Sequence, residues 1–157
     1  MAIAFVQAKN GALNVSTITY TSNNTAGNTL ILCSRNVSAT AVSDSQGNSW
    51  QLAGIQFNGG VRYSVWHAFN CKAGANTITM TPSSKALCAL EYSGITNMDL
   101  VFPVKSGPTS SNTYSSGAIT PTAAASTNMV LTMFGNETSN SLTVNTITGG
   151  FTNRGNG

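Results

Sequence analysis

The fold of this chain is decided by residues 44–93, which read DSQGNSWQLAGIQFNGGVRYSVWHAFNCKAGANTITMTPSSKALCALEYS. Short runs of alternating apolar and polar residues follow one another in this stretch, and β-branched and aromatic side chains are frequent in them. Gly, Asn, Pro and Ser bound the runs, which is typical of strands joined by hairpins and short corners. The stretch therefore predicts an antiparallel β-sandwich.

The same pattern continues on both sides of this stretch. No segment keeps a helical period of 3.6 for ten residues or more, so no helix is expected. Alternation is clearest at residues 17–21 and 77–81, where threonines are expected to face water and apolar residues a core. The expected strands are residues 2–7, 15–21, 29–34, 40–43, 49–57, 61–69, 77–81, 86–92, 117–121, 129–134 and 142–148.

The chain has 157 residues, of which 41% are hydrophobic, and this size suits one domain with a sizeable core. We therefore predict a single all-β domain over residues 1–157, an antiparallel two-sheet β-sandwich. Residues 95–116 have no periodicity and are expected to form a long irregular loop. Residues 149–157 begin a further strand that stops, which would leave an unpaired edge. Either the chain continues beyond residue 157 or a neighbouring chain supplies the missing strands.

The sequence is poor in charge. Only 7% of residues are charged, against about 25% in an ordinary soluble domain. A surface of hydroxyl and amide groups packs against neighbours without the cost of removing ions from water, so it suits assembly or the binding of neutral polar ligands such as sugars. The seven basic residues are scattered, and no nucleic-acid partner is expected because phosphate binding needs clustered Lys or Arg.

The apolar runs of the sequence are short. The first residues lack the basic and long apolar regions of a secretory signal, and no run approaches the ~20 residues of a membrane span. We therefore expect no export by this route and no membrane partner.

The three cysteines, Cys33, Cys71 and Cys88, are widely spaced. They form no CxxC and no metal-ligand cluster, and the sequence suggests neither a metal nor a cofactor. Cys33 and Cys88 lie in apolar strands, where a free thiol behaves as a small hydrophobic side chain. The alternative is one disulfide with a leftover thiol, which would indicate an oxidising compartment.

Few residues could support acid–base catalysis. The chain has one histidine and four acidic residues, and no catalytic residue is predicted among them. His67 is interpreted as a packed or surface strand residue. Glu91 lies in an otherwise apolar strand, so we expect a structural partner for its carboxylate: a backbone amide, Arg or Lys.

The segment that begins at Asp44 is predicted to be a tight turn. Its side chain is expected to accept a hydrogen bond from the backbone that follows, with a positive φ at Gly47 or Asn48. Calcium binding is the alternative, but the segment lacks the further acidic residues of such sites.

Three aromatic residues, Trp50, Tyr63 and Trp66, offer a weak candidate for a ligand site. Aromatic faces stack on the apolar faces of neutral sugars, so these residues could form a glycan-binding platform. Packing in the core is the alternative, because the strand at 61–69 is apolar on both faces and something must cover at least one of them.

The middle segment also resembles a known module. Its features are a D-x-x-G-N-x-aromatic turn, a strand centred on Trp, a G-A-N-T-[VI]-T strand and an A-x-E-[YF]-S-G strand. The matching residues are Asp44, Gly47, Asn48, Trp50, Trp66, residues 74–79, Ala89, Glu91, Tyr92, Ser93 and Gly94. In these the chain resembles a β-sandwich module of bacteriophage structural proteins and of uncharacterised bacterial surface proteins. The resemblance implies a jelly-roll or immunoglobulin-like sandwich, of which we favour the jelly roll, and no catalytic residues.

Together these observations predict a protein that acts by binding and is not an enzyme. The first hypothesis is a bacteriophage virion protein, a capsid decoration or head or tail accessory subunit, assembled in the host cytoplasm. Its expected partners are other virion proteins such as the major capsid protein, and further copies of itself, through residues 2–7, 95–116 and 149–157. The alternative is a carbohydrate-binding or adhesin module of a tail fibre or a cell-surface protein, located outside the cell.

Overall fold

Eight strands make up the described part of the chain, which in this computed structural model comprises residues 2–12, 14–36, 41–58, 61–82 and 86–98. Each overlaps one of the first eight expected strands, and this part contains no helix. The ends differ by a few residues: the first strand begins and ends later than expected, and the second is shorter. The strands are β1 (Ala4–Asn10), β2 (Thr17–Thr19), β3 (Thr29–Asn36), β4 (Ala41–Asp44), β5 (Gln51–Asn58), β6 (Val61–Ala68), β7 (Thr77–Thr81) and β8 (Ala86–Ser93).

Other predictions concern residues outside this part of the chain. They are the three strands expected at 117–121, 129–134 and 142–148, most of the loop at 95–116, and the tail at 149–157. They stay predictions.

The strands form two antiparallel sheets, and the all-β two-sheet sandwich is confirmed. The five-stranded sheet has the order β1-β8-β3-β6-β5 and the three-stranded sheet the order β2-β7-β4. The pairs are nested along the chain, since β1 pairs with β8, β2 with β7 and β3 with β6. Among consecutive described strands only β5 and β6 pair as a hairpin. All other pairs of consecutive described strands lie in different sheets.

The main core lies between the two sheets. Both sheets contribute to it, because the residues that alternate inward on each strand meet across the interface. The three-stranded sheet supplies Ile18, Ile78 and Met80, while Trp66 and Leu32 are among the contributions of the five-stranded sheet. Full burial of side chains of this size contributes about 1.5–3 kcal/mol each.

The five-stranded sheet is also apolar on its outer face. Ile31, Cys33, Leu90 and Tyr92 are buried there, and Tyr92 packs edge-on against Phe5 with ring centroids 5.6 Å apart. Two apolar faces explain why β3 and β8 read as almost continuous apolar runs and do not alternate.

Two glycines with positive φ, Gly27 and Gly94, lie where the chain changes direction at the same end of the sandwich. Gly27 (φ +86°) is the third residue of a turn in which the Asn28 N–H donates to the Thr25 carbonyl, the position that needs glycine in a type II turn. Gly94 (φ +76°) ends β8 where the chain passes against the backbone of Ala2.

The two glycines predict different costs for the same substitution. In Gly27→Ala the new Cβ would meet nothing closer than 3.9 Å, so we expect a loss of about 1–2 kcal/mol from the left-handed conformation alone. In Gly94→Ala the Cβ would also clash with the Ala2 carbonyl group, which adds about 1–3 kcal/mol. Urea unfolding of both variants measures the difference, and equal losses would contradict the close approach at Gly94.

Candidate functional site

Glu91 is a fully buried carboxylate in β8, with 0% of its surface exposed. The side-chain amides of Gln7 and Asn24 donate to its Oε2 at 2.6 and 2.7 Å. The backbone N–H of Thr25 and the side-chain amide of Asn28 donate to its Oε1 at 2.9 and 2.7 Å. The predicted structural role is confirmed, but three of the four donors are side-chain amides and none is Arg or Lys.

These hydrogen bonds decide the charge state of Glu91. Burial alone would raise the pKa of its carboxyl group, yet the donors at Thr25, Gln7, Asn28 and Asn24 outweigh burial and hold the pKa below the ordinary value of 4.5. The ionised carboxylate therefore joins β8, β1 and the connection between β2 and β3. Because its oxygens are occupied and buried, this group anchors the fold and is not placed to act on a substrate.

Asp44 organises the neighbouring turn, as the sequence predicts. Its Oδ1 accepts the Asn48 N–H at 2.9 Å, and its Oδ2 accepts the Asn48 side-chain amide, the Trp50 indole N–H and the Asn76 amide at 2.7, 3.0 and 3.1 Å. Gly47 has the positive φ, +64°. Burial would raise the pKa of Asp44, but these donors lower it below 3.8. The D-x-x-G-N-x-W pattern is thus explained as a turn.

The three aromatic candidates do not form one platform. Trp66 is buried between the sheets, where its indole donates to the Ser64 hydroxyl at 3.1 Å. Tyr63 is three residues away in the same strand and hence on the opposite face of the sheet. Trp50 is half-buried against the main core. Glycan binding by these residues stays a prediction, but they cannot stack on one sugar together.

His67 lies in β6 on the outer face of the five-stranded sheet. It is 8% exposed and packs against Phe69 with ring centroids 4.4 Å apart. Burial lowers the pKa of its imidazole below 6.5, which favours the neutral form. A packed strand histidine is what the sequence predicts.

The cysteines are free thiols, two of which lie side by side. Cys33 in β3 is the direct cross-strand partner of Cys88 in β8. Cys71 lies apart from them, and its thiol donates to the Thr25 carbonyl at 3.2 Å. Burial raises the pKa of Cys71 and of Cys88 to about 11, which leaves these thiols protonated at neutral pH.

Among the described residues, the most accessible apolar surface is on β5, an edge strand. Opposite residues of paired strands share a face, so Leu52, opposite Trp66, points toward the side of the sheet that carries the main core. A register shift between Leu52 and Gly54 keeps Ile55 and Phe57 on that same side. We call Leu52, Ile55 and Phe57 the β5 strip.

The β5 strip is exposed because the two sheets differ in width. The three-stranded sheet covers the middle of its neighbour, whereas β5 packs extensively against β6 alone among the described strands. Leu52 is 40% exposed and Phe57 is 63% exposed, and Ile55 is half-buried. Apolar side chains of this size therefore lie in a row at the rim of the sandwich.

The direction of the backbone groups along β5 follows from the ladder. The Gly11 N–H donates to the Leu87 carbonyl at 2.9 Å, so the N–H and C=O of Leu87 face β1. In antiparallel sheets these groups face alternate sides from one residue to the next. Carried through the register of β8, β3 and β6 to β5, the alternation turns the backbone groups of Ile55 and Phe57 away from β6.

A side-chain contact agrees with this direction. The Gln56 amide donates to the Phe57 carbonyl at 3.0 Å, at an exposed position. The exposed position of this contact is consistent with a carbonyl that points away from β6. The strip and the free backbone groups are presented together, at the longest edge strand of the described part of the chain.

The electrostatics of this edge are simple. The sequence of β5, QLAGIQFN, has no charged residue. The Arg62 guanidinium lies close by, with its carbon 5.6 Å from the centre of the Phe57 ring. A partner strand would thus meet amide and apolar side chains and no opposing charge on β5.

Sequence reasoning missed this surface. It predicted a strand at 49–57 but placed the contacts at residues 2–7, 95–116 and 149–157. Strict alternation puts Leu52 and Phe57 on opposite faces, and only a bulge brings them together. Gly54 within the strand is the signal that could have indicated a bulge.

Comparisons with protein-family models, curated proteins and solved structures find no match to this chain. Within the described residues, no helix is long and apolar enough to cross a membrane. No group of three or more His, Cys, Asp or Glu in that part of the chain could hold a metal ion. The β5 edge, with its exposed apolar side chains, is the candidate functional site.

Replacing one carboxylate oxygen of Glu91 is expected to lower the stability of the protein strongly. In Glu91→Gln an NH₂ group replaces one carboxylate oxygen and faces two N–H donors in either orientation, so we expect a loss of about 2–4 kcal/mol at pH 7. Asp44→Asn should cost less, since Asp44 is partly exposed and water can reach it. Urea unfolding measures both variants.

The pH dependence of stability gives a second readout at Glu91. Because its pKa is lowered on folding, the stability it contributes is fully present above about pH 4.5 and is lost as the pH falls below that value. The difference between wild type and Glu91→Gln should therefore shrink as the pH falls from 6 to 3. A constant difference would mean that folding does not shift the pKa of Glu91, and a difference that grows as the pH falls would mean that Glu91 is protonated in the folded protein.

Proposed function

We propose that this protein is a structural subunit of a bacteriophage virion, a capsid decoration or head or tail accessory protein that acts by protein–protein assembly. The observation that carries the proposal is the exposed β5 strip, on an edge with which no further described strand pairs. Natural sheets normally protect such edges with charges, proline or a covering element. In β5 no charged or proline residue does so.

The mode of binding is β-augmentation, in which a partner strand pairs with the free edge. The partner bonds to the outward backbone groups of Ile55 and Phe57, and apolar side chains cover the β5 strip. Burying the exposed parts of Leu52 and Phe57 would contribute about 2–4 kcal/mol. In this mode the backbone hydrogen bonds fix the orientation of the partner strand, and the buried apolar side chains supply affinity.

The composition supports assembly on a crowded surface. With 7% charged residues and a formal net charge of +3, neighbouring subunits would repel each other weakly, and few ions would have to leave water. Ser, Thr and Asn supply most of the remaining polarity. A wet, polar interface around an apolar centre is common in protein complexes.

The strand order supports a jelly roll over an immunoglobulin-like sandwich. The pairs β1–β8, β2–β7 and β3–β6 are nested, and the chain changes sheets at every connection between described strands except β5–β6. In a jelly roll the nesting extends over all eight strands, and viral capsid and lectin domains use this fold. Here it covers three pairs, because β4 and β5 lie in different sheets. Fold alone does not identify a function, so this observation supports the proposal without carrying it.

The glycan-binding alternative has less support. Of its three aromatic residues, Trp66 is buried and Tyr63 lies on the opposite face of the sheet. That leaves Trp50, which is half-buried and whose indole N–H donates to the Asp44 carboxylate in the turn.

Purified virions test the proposed function. We expect mass spectrometry to find this chain in a fixed ratio to the major capsid protein in phage particles whose genome encodes it. Its presence only in the soluble lysate, or in the cell envelope, would contradict a virion role.

A pair of variants then tests the surface. Leu52→Ser, at the β5 strip, should reduce incorporation into particles because it removes buried apolar area from the contact. Val6→Ser is the matched comparison: Val6 is 42% exposed, close to the 40% of Leu52, but lies on β1 at the other edge of the sheet. Because Val6 is within residues 2–7, a loss of incorporation in Val6→Ser alone would place the contact at that predicted segment. Equal incorporation of both variants would place the contact elsewhere.

A further inference from the structure

We propose that the strand received by β5 is the β5 of a second copy of this chain, paired antiparallel across a two-fold axis. The proposal deepens the proposed assembly function by naming the partner at the same edge, and rests on it. A two-fold contact uses the same patch on both subunits, so the patch must complement itself. The sequence and direction of β5 meet this condition.

The backbone groups select one register. Ile55 and Phe57 both direct their N–H and C=O outward, so each can face the other residue across the axis as a hydrogen-bonded pair. In this register Ile55 faces Phe57 of the second copy and Phe57 faces Ile55 of the second copy, with four hydrogen bonds expected in all. Gln56 then lies on the axis, opposite itself.

The side chains suit the same register. Ile55 and Phe57 lie on one face, so the strips of the two copies join into one apolar band. The two Gln56 side chains meet on the opposite face, where an amide can both donate and accept. The Gln56 amide that bonds the Phe57 carbonyl in the single chain is released when the strand arrives.

Charge also favours a second copy. Like charges placed directly opposite each other destabilise a strand pair, and self-pairing would bring a charge near residue 56 close to its own copy. Since β5 has no charged residue, self-pairing meets no such repulsion. Arg62 is on β6, one strand away from the axis, over its own Phe57 ring.

The geometry limits this contact to a closed pair. Once the two β5 edges have joined, neither remains free, and the register shift between Leu52 and Gly54 ends the regular pairing. The result is a continuous sheet made of the five strands of each copy. The contact is smaller than the ~1,600 Å² of a standard interface, so we expect weak, concentration-dependent dimers.

Cysteine cross-linking tests the register. Opposite residues of a non-hydrogen-bonded pair have Cα atoms about 4.5 Å apart, close enough for a disulfide. We expect Gln56→Cys to give a covalent dimer under mild oxidation with oxidised glutathione, which is reduced as the bond forms. In Gln51→Cys, the matched control, the equivalent Cα atoms would be roughly 30 Å apart. Wild-type protein treated in the same way is the control for any covalent dimer formed through the three native cysteines.

Sedimentation of the purified chain over a wide concentration range gives the second measurement. Wild type and Val6→Ser should dimerise, and Phe57→Ser should weaken the dimer about tenfold or more, through lost apolar contact. Ile55→Pro removes an N–H that only the dimer uses, so the variant should fold and stay monomeric. Circular dichroism of each variant checks that it is folded.

The outcomes separate this proposal from the proposed function. A monomer at every concentration, open chains larger than a dimer, or equal cross-linking at positions 51 and 56 would overturn self-pairing. If the chain is nevertheless found in virions and Leu52→Ser reduces its incorporation, the edge binds another virion protein and the proposed function stands. If the chain dimerises as expected but is absent from virions, self-pairing stands and the virion role fails.

Discussion

The buried carboxylate of Glu91 is the interaction on which this end of the sandwich depends. A charge without a cationic partner is costly in an apolar interior unless hydrogen bonds replace those of water. Four donors do so here, and they come from β1 and from the connection between β2 and β3. The carboxylate therefore gathers segments that are distant in sequence around one strand of the larger sheet.

The second constraint is the difference in width between the two sheets. The sheet of five strands extends beyond the sheet of three, and the apolar face of its last strand remains partly in water. The same strand has outward backbone groups at Ile55 and Phe57. The larger sheet thus ends at an edge where exposed apolar side chains and outward backbone groups lie together on a strand that has no charged residue.

Several features were predictable from local sequence. The eight strands follow from alternation and turn residues, and the turn at Asp44 follows from an Asx pattern with a glycine that takes positive φ. The structural role of Glu91 follows from the cost of a carboxylate in an apolar strand. Its donors did not follow, because Gln7, Asn24 and Asn28 become neighbours only when β1 pairs with β8 and the turn at Gly27 closes.

The sequence by itself determined the all-β class, the strand positions and the low charge of the surface, because these depend on residue type and short-range period. Only the tertiary structure decided which strands pair, that Trp66 is buried while Phe57 is exposed, and that a register shift aligns Leu52 with Ile55 and Phe57. Exposure at an edge depends on what the opposite sheet covers, and that is a property of the whole packed fold. The sequence of a single strand therefore does not predict which of its side chains are exposed at the edge.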